Sequence, residues 1–506
     1  MMTFINMPIR TLVLGLALAF ISSPGIAQKV VLERSIPVPT SNLLKGHTIQ
    51  AVHTGMIDST QVHVSLSTSF TKGQNDQSVE STRFYSRLSL SNNRCDTIKS
   101  INTLLFKIFG SEIYPAGMTT LRDRVAYFYT QFDKKKNKFS LHVFEVSLVD
   151  QKSKINIRTL FEAIVANPKQ IDYRMTQSNN HIGLVFMQLE DKSNDRATLQ
   201  WQIYDGSLEP VYQRSEKLNF GGGSVSLLDF NLSPELVCLT TLKHQNSKSE
   251  QDAIDYYVVS KERTSVYQGM ALALRKKDAS ATWIRYNRDS ATFDLGGLTA
   301  PSQKRLPEHV FHYRLPLQRV DLVRGGSFAL PEDWVTTWKN DTREFAFRDY
   351  NIAQSQFKFI PRNSKALAVV YGAEGAYLGS PFQSDLFLLE TSPSGIASST
   401  RMERNAVVNK INTGMGYLHS KTLGAILISE GIQQPDKASN TPNKTTGPKL
   451  LLLEPGNDFA TQNLPLPNDQ IGLYFYEGVQ RIGDDRFVIP YRTQKGLSLA
   501  VYRINP

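Results

Sequence analysis

The chain has little cysteine, few long hydrophobic runs and little helical periodicity, and each shortage excludes a class of protein. Only Cys95 and Cys238 occur among 506 residues, so a disulfide framework does not hold the fold, although one bond between the two remains open. After the amino terminus no apolar run reaches the roughly 18 residues that a membrane-crossing helix needs. The best helical pattern is short and covers residues 155–165 (INIRTLFEAIV).

Charge of one sign is in excess but it is not clustered. The net charge is +11, yet the one short basic run is Lys134–Lys136. Nucleic-acid binding requires basic residues gathered on one face and interleaved with aromatic residues, so we predict no nucleic-acid partner. The excess indicates a solvated basic surface, or a weaker attraction to anionic glycan or to the outer face of a membrane.

The amino terminus has the three-part pattern of a secretory signal. Arg10 precedes the apolar run 11–21 (TLVLGLALAFI), and small residues lead to Ala27. A helix of that run spans about 16 Å, roughly half of a bilayer core, which is too short for a membrane anchor. We therefore predict a signal peptide at residues 1–27, cleaved before Gln28, and export to the periplasm, the cell surface or the exterior.

A strand, a charged turn and a second strand recur along the rest of the chain. The pattern is clearest in residues 124–148 and 181–208. The other units share this outline: 59–90, 235–260, 365–395, 422–458 and 485–506. Their first strands begin near residues 62, 125, 182, 237, 367, 423 and 486. The interval from 237 to 367 is about twice the others, so we predict one degenerate unit there, around residues 309–326, and eight hairpins in total.

Such hairpins cannot bury their apolar faces alone, but like units can bury them against one another in a ring. The sequence therefore predicts an all-β protein in which residues 28–506 form a single β-propeller of seven to eight four-stranded blades. The last unit ends after its second strand, and the segments 29–35 and 47–56 can supply strands that pair with the C-terminal hairpin and close the ring. Two β-sandwich domains in series remain the alternative.

The outline of strand, charged turn, strand and a terminal turn such as YDGSLEP is best developed in residues 181–218. It resembles uncharacterised exported propeller-like proteins of Gram-negative bacteria of the Bacteroidota kind. Residues 310–334 are similar to a segment that those proteins place before a strand containing glutamate. The resemblance implies a fold and a compartment, and it brings no catalytic residue.

Motifs for catalysis and metal binding are missing or incomplete. The serine-nucleophile motif G-x-S-x-G does not occur, and GGGS at 221–224 is typical of a flexible turn. His309 and His312 are three apart on a predicted strand, so their rings should lie on opposite faces and share no metal. The turn with Asp191, Ser193 and Asp195 lacks the glycine and the glutamate of a calcium loop. We predict no metal and no cofactor.

One segment combines carboxylates with tryptophans. Glu332, Asp333 and Asp341 lie beside Trp334 and Trp338, as in sites where paired carboxylates cleave a sugar that stacks on aromatic rings. The packing of an outer strand and its turn would give the same composition. We therefore hypothesise a non-enzymatic, monomeric scaffold whose loops bind a protein or a glycan. The alternative is a carbohydrate-active hydrolase or lyase with its site near residues 309–350.

Overall fold

A computed structural model describes most of the predicted strands and many of their turns. The described residues are 30–39, 47–71, 79–102, 112–121, 124–147, 156–190, 195–221, 223–245, 251–263, 265–275, 278–301, 307–321, 323–334, 336, 357–362, 365–371, 374–377, 380–383, 386–402, 406–407, 416–420, 424–432, 445–453, 460–468, 470–483, 485–494 and 496–505. The predicted signal peptide and its cleavage site at Ala27 and Gln28 lie outside them.

The described strands form nine antiparallel sheets, eight blades and one small accessory sheet, and each blade is built almost entirely from consecutive strands. After β1 (Val30–Val38), blade 1 contains β2 (His47–Asp58), β3 (Gln61–Thr71), β4 (Val79–Ser89) and β5 (Arg94–Asn102). Blade 2 contains β6 (Glu112–Leu121), β7 (Arg124–Asp133), β8 (Lys138–Ser147) and β9 (Asn156–Ile164). Blade 3 contains β10 (Ile171–Ser178), β11 (His181–Leu189), β12 (Arg196–Tyr204) and β13 (Pro210–Asn219). Blade 4 contains β14 (Ser224–Leu232), β15 (Cys238–Gln245), β16 (Gln251–Val259) and β17 (Tyr267–Arg275).

The second half of the chain continues the same order. Blade 5 contains β18 (Ala279–Asn287), β19 (Thr292–Ala300), β20 (His309–Pro316) and β21 (Arg324–Ala329). Blade 6 contains β22 (Phe357–Arg362), β23 (Lys365–Tyr371), β26 (Leu386–Ser392) and β27 (Gly395–Met402), and β24 (Glu374–Tyr377), β25 (Ser380–Gln383) and β28 (Ala406–Val407) form a separate small sheet. Blade 7 contains β29 (Gly416–Ser420), β30 (Gly424–Ile432), β31 (Thr445–Leu453) and β32 (Ala460–Asn463). Blade 8 contains β33 (Gln470–Tyr474), β34 (Gln480–Ile482), β35 (Arg486–Thr493) and β36 (Gly496–Ile504), together with β1.

The sheets form a β-propeller, as the repeat predicted. The first strands of successive blades contact each other: β2 with β6, β10 with β14, β14 with β18, and β18 with β22. The first strands of blades 1 and 7 both contact β34 of blade 8. Apolar clusters lie between blades, and one of them joins Trp201 of blade 3 to Phe230 and Tyr257 of blade 4. The fold therefore has a ring of inter-blade cores.

Except in blade 5, the predicted hairpins are the second and third strands of each blade. These strands have a neighbouring blade on both faces, so β7 is buried at six consecutive residues, Val125–Thr130. Outer strands such as β13 are exposed along much of their length. The sequence pattern is therefore strongest in the middle of each blade and weakest at its rim.

The degenerate unit exists, but its predicted position was one strand too late. The middle hairpin of blade 5 is formed by β19 and β20, so it begins at Thr292. Every residue of β19 is buried, but Gly296 and Gly297 interrupt the apolar run by which strands such as β7 are recognised. A Cβ on Gly296 would lie 2.2 Å from the Phe359 ring of blade 6. The glycine that makes this close packing feasible also weakens the strand pattern.

The short helical pattern at residues 155–165 does not correspond to a helix, because Asn156–Ile164 form the outer strand β9. It pairs with β8, and Leu160 is an extra residue in that pairing, between Thr159 and Phe161. The bulge interrupts alternation and places two apolar residues side by side, which imitates helical spacing. Phe161 is buried and stacks on Phe186 of blade 3, with ring centroids 3.9 Å apart.

Strand β1 is the outer strand of blade 8 and joins the two ends of the chain. It pairs with β36 in antiparallel register from Val30 opposite Ile504 to Val38 opposite Leu497. Glu33 also forms an ion pair of 2.8 Å with Arg486 of β35. The segment 47–56, in contrast, belongs to the first strand of blade 1. The ring is thus held at this blade by hydrogen bonds between strands from opposite ends of the sequence.

A search of the described residues for a helix long and apolar enough to cross a membrane finds none.

Ile36 tests the contribution of this closing strand to stability. Its side chain is 2 % exposed and lies in the apolar cluster between blades 8 and 1. We expect Ile36→Ala to lower the free energy of unfolding by about 2–5 kcal/mol in chemical denaturation, since it leaves a cavity in that cluster. The neighbouring exposed Ser35→Ala should change it by less than about 0.5 kcal/mol. Equal stability of the two variants would contradict this role of β1.

Candidate functional site

The connections between strands differ at the two ends of the ring. In an antiparallel blade, the loop between the second and third strands emerges at the same end as the connection to the next blade. This end, the long-loop face, carries the connections 330–356, 372–385, 403–415 and 433–444. At the opposite end, the short-turn face, the longest connection covers residues 148–155. The extra sequence of the propeller is therefore concentrated on one face, around blades 6 and 7.

Two of these long connections pair with each other. Strands β24 and β25 lie in the connection between β23 and β26, and β28 follows β27. Phe382 of β25 is opposite Val407 of β28, and Gln383 is opposite Ala406. The resulting accessory sheet is separate from the eight blades. It is ordered structure that the ring itself does not require.

The inner strands of blades 3, 4 and 5 carry a row of charged residues at their middle. Arg174 lies on β10, Asp229 on β14 and Arg285 on β18. The exposed fractions of their side chains are 32 %, 15 % and 32 %. Inner strands have one free edge, so their backbone groups need partners that no further strand provides. The charged side chains supply several of these partners.

Arg174 connects blade 3 to blade 4. Its Nε donates to the carbonyl oxygen of Leu228 at 3.1 Å, and Nη2 donates to that of Leu227 at 2.7 Å. Leu228 is the extra residue of a bulge in the pairing of β14 with β15, so the ladder is disrupted at these carbonyls. Nη1 donates to Asp172 Oδ1 at 2.6 Å, which holds the guanidinium in place.

Asp229 makes the corresponding link from blade 4 to blade 5. Its Oδ2 accepts a hydrogen bond of 2.6 Å from the backbone N–H of Ile284 on β18. Arg285 Nη1 lies 3.7 Å from the same oxygen. Burial raises the pKa of Asp229, and the Arg285 charge and the donated N–H groups offset part of that effect. The Asp229 carboxylate thus links the inner strands β14 and β18 and balances the positive charge of Arg285.

Arg285 is stacked on an aromatic ring. Its guanidinium carbon lies 4.1 Å from the centroid of Trp283, two residues earlier on the same strand, which is a cation–π contact. Burial lowers the pKa of Arg285 and Asp229 offsets part of this shift. Arg174, Asp172, Asp229 and Arg285 consequently form a charge-balanced network along the inner wall of blades 3 to 5.

The residues singled out from the sequence near position 332 do not share one environment. Glu332 and Asp333 are exposed in a short helical segment of the connection after β21, on the long-loop face. Trp334 is 1 % exposed and packs on Phe387 of blade 6, with ring centroids 4.9 Å apart. Its ring is therefore part of an inter-blade core and does not offer a surface for a sugar. Trp338 and Asp341 lie outside the described residues.

His312 belongs to a buried polar network. Its Nε2 lies 3.6 Å from Asp294 Oδ1, and its Nδ1 lies 3.3 Å from Thr391 Oγ1. Arg314 binds both oxygens of Asp294, at 2.6 and 2.9 Å. Burial opposes ionisation of Asp294, but His312 and Arg314 outweigh it and hold its pKa below the ordinary value. The order carboxylate, imidazole and hydroxyl resembles a catalytic triad, yet Asp294, His312 and Thr391 are fully buried, so the network joins blades 5 and 6.

The other chemical groups considered from the sequence are separated or lie in turns. Cys95 and Cys238 are free thiols, one in blade 1 and one in blade 4. Burial raises the pKa of both to about 12, so neither is a reactive thiolate at neutral pH. His309 is half-buried at the start of β20. Gly221, in the turn before β14, has a φ of +64°, a conformation that favours glycine.

Metal-binding groupings were also sought in the described part of the chain. It contains no group of three or more His, Cys, Asp or Glu side chains placed to hold a metal ion. Of the turn considered for calcium, Asp195 is described, whereas Asp191 and Ser193 lie outside the described residues.

Sequence reasoning missed the charged row on the inner wall. Its residues are far apart in the chain and belong to strands with little regular alternation. A retrievable pattern was present, because β10, β14 and β18 each place one charged residue in mid-strand. The pattern becomes meaningful only once these strands are known to be the inner strands of adjacent blades.

Comparisons with known proteins identify no family. No family model matches the chain, and no curated protein matches it. Solved structures give distant matches. The β-propeller domain of the Trilobed protease from Pyrococcus furiosus has a TM-score of 0.32 at 10 % identity, covering 72 % of this chain and 99 % of that one. The α-L-arabinanase of Penicillium chrysogenum has a TM-score of 0.35 at 8 % identity, and the match covers 75 % of this chain and 99 % of that one. The WD40 domain of SCAP from fission yeast has a TM-score of 0.31 at 8 % identity, and the match covers 94 % of this chain and 98 % of that one.

Substitution of Arg174 tests whether the inner wall joins the blades. Arg174→Met keeps the bulk but leaves the carbonyls of Leu227 and Leu228 without this donor. We expect the free energy of unfolding to fall by about 1–3 kcal/mol. Arg174→Lys should restore only part of it, because an ammonium cannot replace the fork of the guanidinium. The exposed Arg196→Met is the matched control, and a loss as large there would show that Arg174 has no special role.

Proposed function

We propose that this chain is an exported, non-enzymatic scaffold that binds a protein or a glycan through its long-loop face. The observation that carries the proposal is the accessory sheet of β24, β25 and β28, which orders two long connections above blade 6 without extending any blade. Rigid rings that present elaborated loops on one face are suited to binding. The uneven distribution of connections gives this propeller such a face.

The described residues offer little support for catalysis. The triad-like group around His312 is inaccessible, both thiols are buried, and the inner-wall charges are paired with backbone or with each other. The alternative of a carbohydrate-active hydrolase or lyase near residues 309–350 requires aromatic rings that a sugar can reach. Trp334, one of the two tryptophans on which it relied, is in the core. We therefore favour binding without chemistry.

Export is part of the proposal and is supported by the sequence. The predicted signal at residues 1–27 directs the chain out of the cytoplasm. The resemblance of residues 181–218 to exported propeller-like proteins of the Bacteroidota kind agrees with this compartment. A partner should accordingly be an envelope protein or an extracellular glycan.

Photo-crosslinking from the two faces tests the proposal. A photoreactive phenylalanine analogue replaces Asp333, which is exposed on the long-loop face, or Ser290, which is exposed in the short turn between β18 and β19. In envelope extract of the source cells, we expect specific adducts, protein or glycan, from position 333 and none above background from position 290. Replacing residues 374–383 by a short flexible linker should remove those adducts.

The same samples contain the controls. Denaturation curves of the linker variant show whether the blades remain folded, and mass spectrometry of the secreted chain shows whether it begins at Gln28. Equal labelling from both positions, or adducts that persist without the accessory hairpin, would contradict binding through the long-loop face. A chain retained in the cytoplasm with its first 27 residues intact would contradict export.

A further inference from the structure

We propose that one corner of blade 2 docks the protein on an anionic phospholipid surface. The blade 2 corner consists of Lys134, Lys135, Lys136, Ile164 and Lys169. It lies on the long-loop face, at the turn between β7 and β8 and at the connection from β9 to β10. The proposal is independent of the binding proposed near blade 6, because blade 6 is four blades away across the ring.

The turn between β7 and β8 presents three lysines in a fixed arrangement. Asp133 Oδ1 accepts hydrogen bonds from the backbone N–H groups of Lys135 at 3.0 Å and Lys136 at 3.3 Å. Asn137 closes the turn with a φ of +50°, a conformation that asparagine adopts more readily than most residues. Lys134, Lys135 and Lys136 are all exposed. The backbone is therefore ordered while the ammonium groups face solvent.

An exposed aliphatic residue adjoins this turn. Ile164 is the last residue of β9 and lies directly opposite Lys138, the residue that follows the turn. Its exposed fraction of 80 % is the highest among the large hydrophobic residues in the described part of the chain. The next residue, Val165, donates its N–H to the carbonyl oxygen of Asn137 at 2.8 Å, which fixes Ile164 beside the lysines.

The corner has an excess of positive charge that nearby acids do not neutralise. Glu162 pairs with Lys138 at 2.5 Å, and Asp133 is directed at the backbone of its own turn. Lys169 adds a fourth exposed ammonium group from a capped turn at Pro168–Gln170, where Asn167 Oδ1 accepts from the Lys169 N–H at 2.9 Å. Within the described residues, Lys134, Lys135, Lys136 and Lys169 form no ion pair.

The combination favours a lipid surface over a soluble polyanion. Each lysine near an anionic membrane contributes about 1 kcal/mol to the binding free energy, which is about fivefold in affinity. A neighbouring aliphatic side chain adds to the affinity when it enters the boundary between headgroups and acyl chains. A polysaccharide or an acidic protein surface attracts the lysines equally but offers no comparable apolar layer to Ile164. The exposed isoleucine therefore distinguishes the two classes of partner.

Vesicle co-sedimentation of the mature chain tests the proposal. We expect binding to vesicles of phosphatidylglycerol and phosphatidylcholine in equal parts, and none to pure phosphatidylcholine. Substituting Lys134, Lys135 and Lys136 together by glutamine should weaken binding about a hundredfold, at about fivefold for each lysine. Ile164→Ser should weaken it about tenfold.

Matched variants separate docking from general charge attraction. One control variant substitutes Lys217, Lys261 and Arg324 together by glutamine, which removes three exposed positive charges elsewhere. The other, Met270→Ser, removes an exposed apolar side chain from blade 4. Both should leave vesicle binding within about twofold of the wild type, because these sites do not contact the membrane. Losses equal to those of the blade 2 variants would overturn the proposal.

A second probe identifies the partner class. Dextran sulfate presents dense anionic charge without an apolar layer, so Ile164→Ser should bind it as the wild type does while binding vesicles less. If Ile164→Ser left vesicle binding unchanged, the corner would be a polyanion site and the lipid assignment would be wrong. Failure to bind anionic vesicles would refute the assignment while leaving binding near blade 6 untouched.

Discussion

No blade of this protein can bury its own apolar faces, and this constraint determines the rest of the structure. Each four-stranded sheet is covered on both faces only when blades stand on either side of it, so the sheets are stable as members of a ring. The ring must then be joined where the chain begins and ends. Strand β1 provides this joint by pairing with β36, and Ile36 fills the cluster shared by blades 8 and 1.

A ring of sheets leaves one edge of every inner strand without a strand partner, and the charged residues of the inner wall address this second constraint. Arg174 binds two carbonyls at the bulge of β14, and Asp229 binds an amide of β18. At comparable places in blades 1 and 2 the chain has Gly55 and Gly117. A Cβ on these glycines would meet Thr120 or Met175 of the facing blade within 2.3 Å. The inner strands are therefore joined by polar links in blades 3 to 5, whereas in blades 1 and 2 close packing is added to polar links such as Gln177 Nε2 to the Thr120 carbonyl oxygen.

The sequence predicted what depends on local apolar patterns and missed what depends on packing between blades. The middle hairpins were recognised because strands such as β7 and β11 are covered on both sides and read as apolar runs. The strand β19 was missed because Gly296 serves packing against Phe359 of blade 6, and Gly297 serves packing against Phe311 of the paired strand β20. The bulge at Leu160 turned an outer strand into an apparent helix. Trp334 was considered for a surface site because composition alone cannot tell a ring that packs on Phe387 from one that faces solvent.

Closure by β1 is the central claim, and hydrogen exchange of a chain that lacks residues 30–38 tests it most directly. If the ring depends on this strand, amides of β36 lose protection, and so do those of the inner strands β2 and β34, which meet where blade 1 adjoins blade 8. Protection in blades 3 to 5 should fall less, because Arg174 and Asp229 still link them. Loss of amide protection in β36 alone, with β2 and β34 as protected as in the intact chain, would contradict the account.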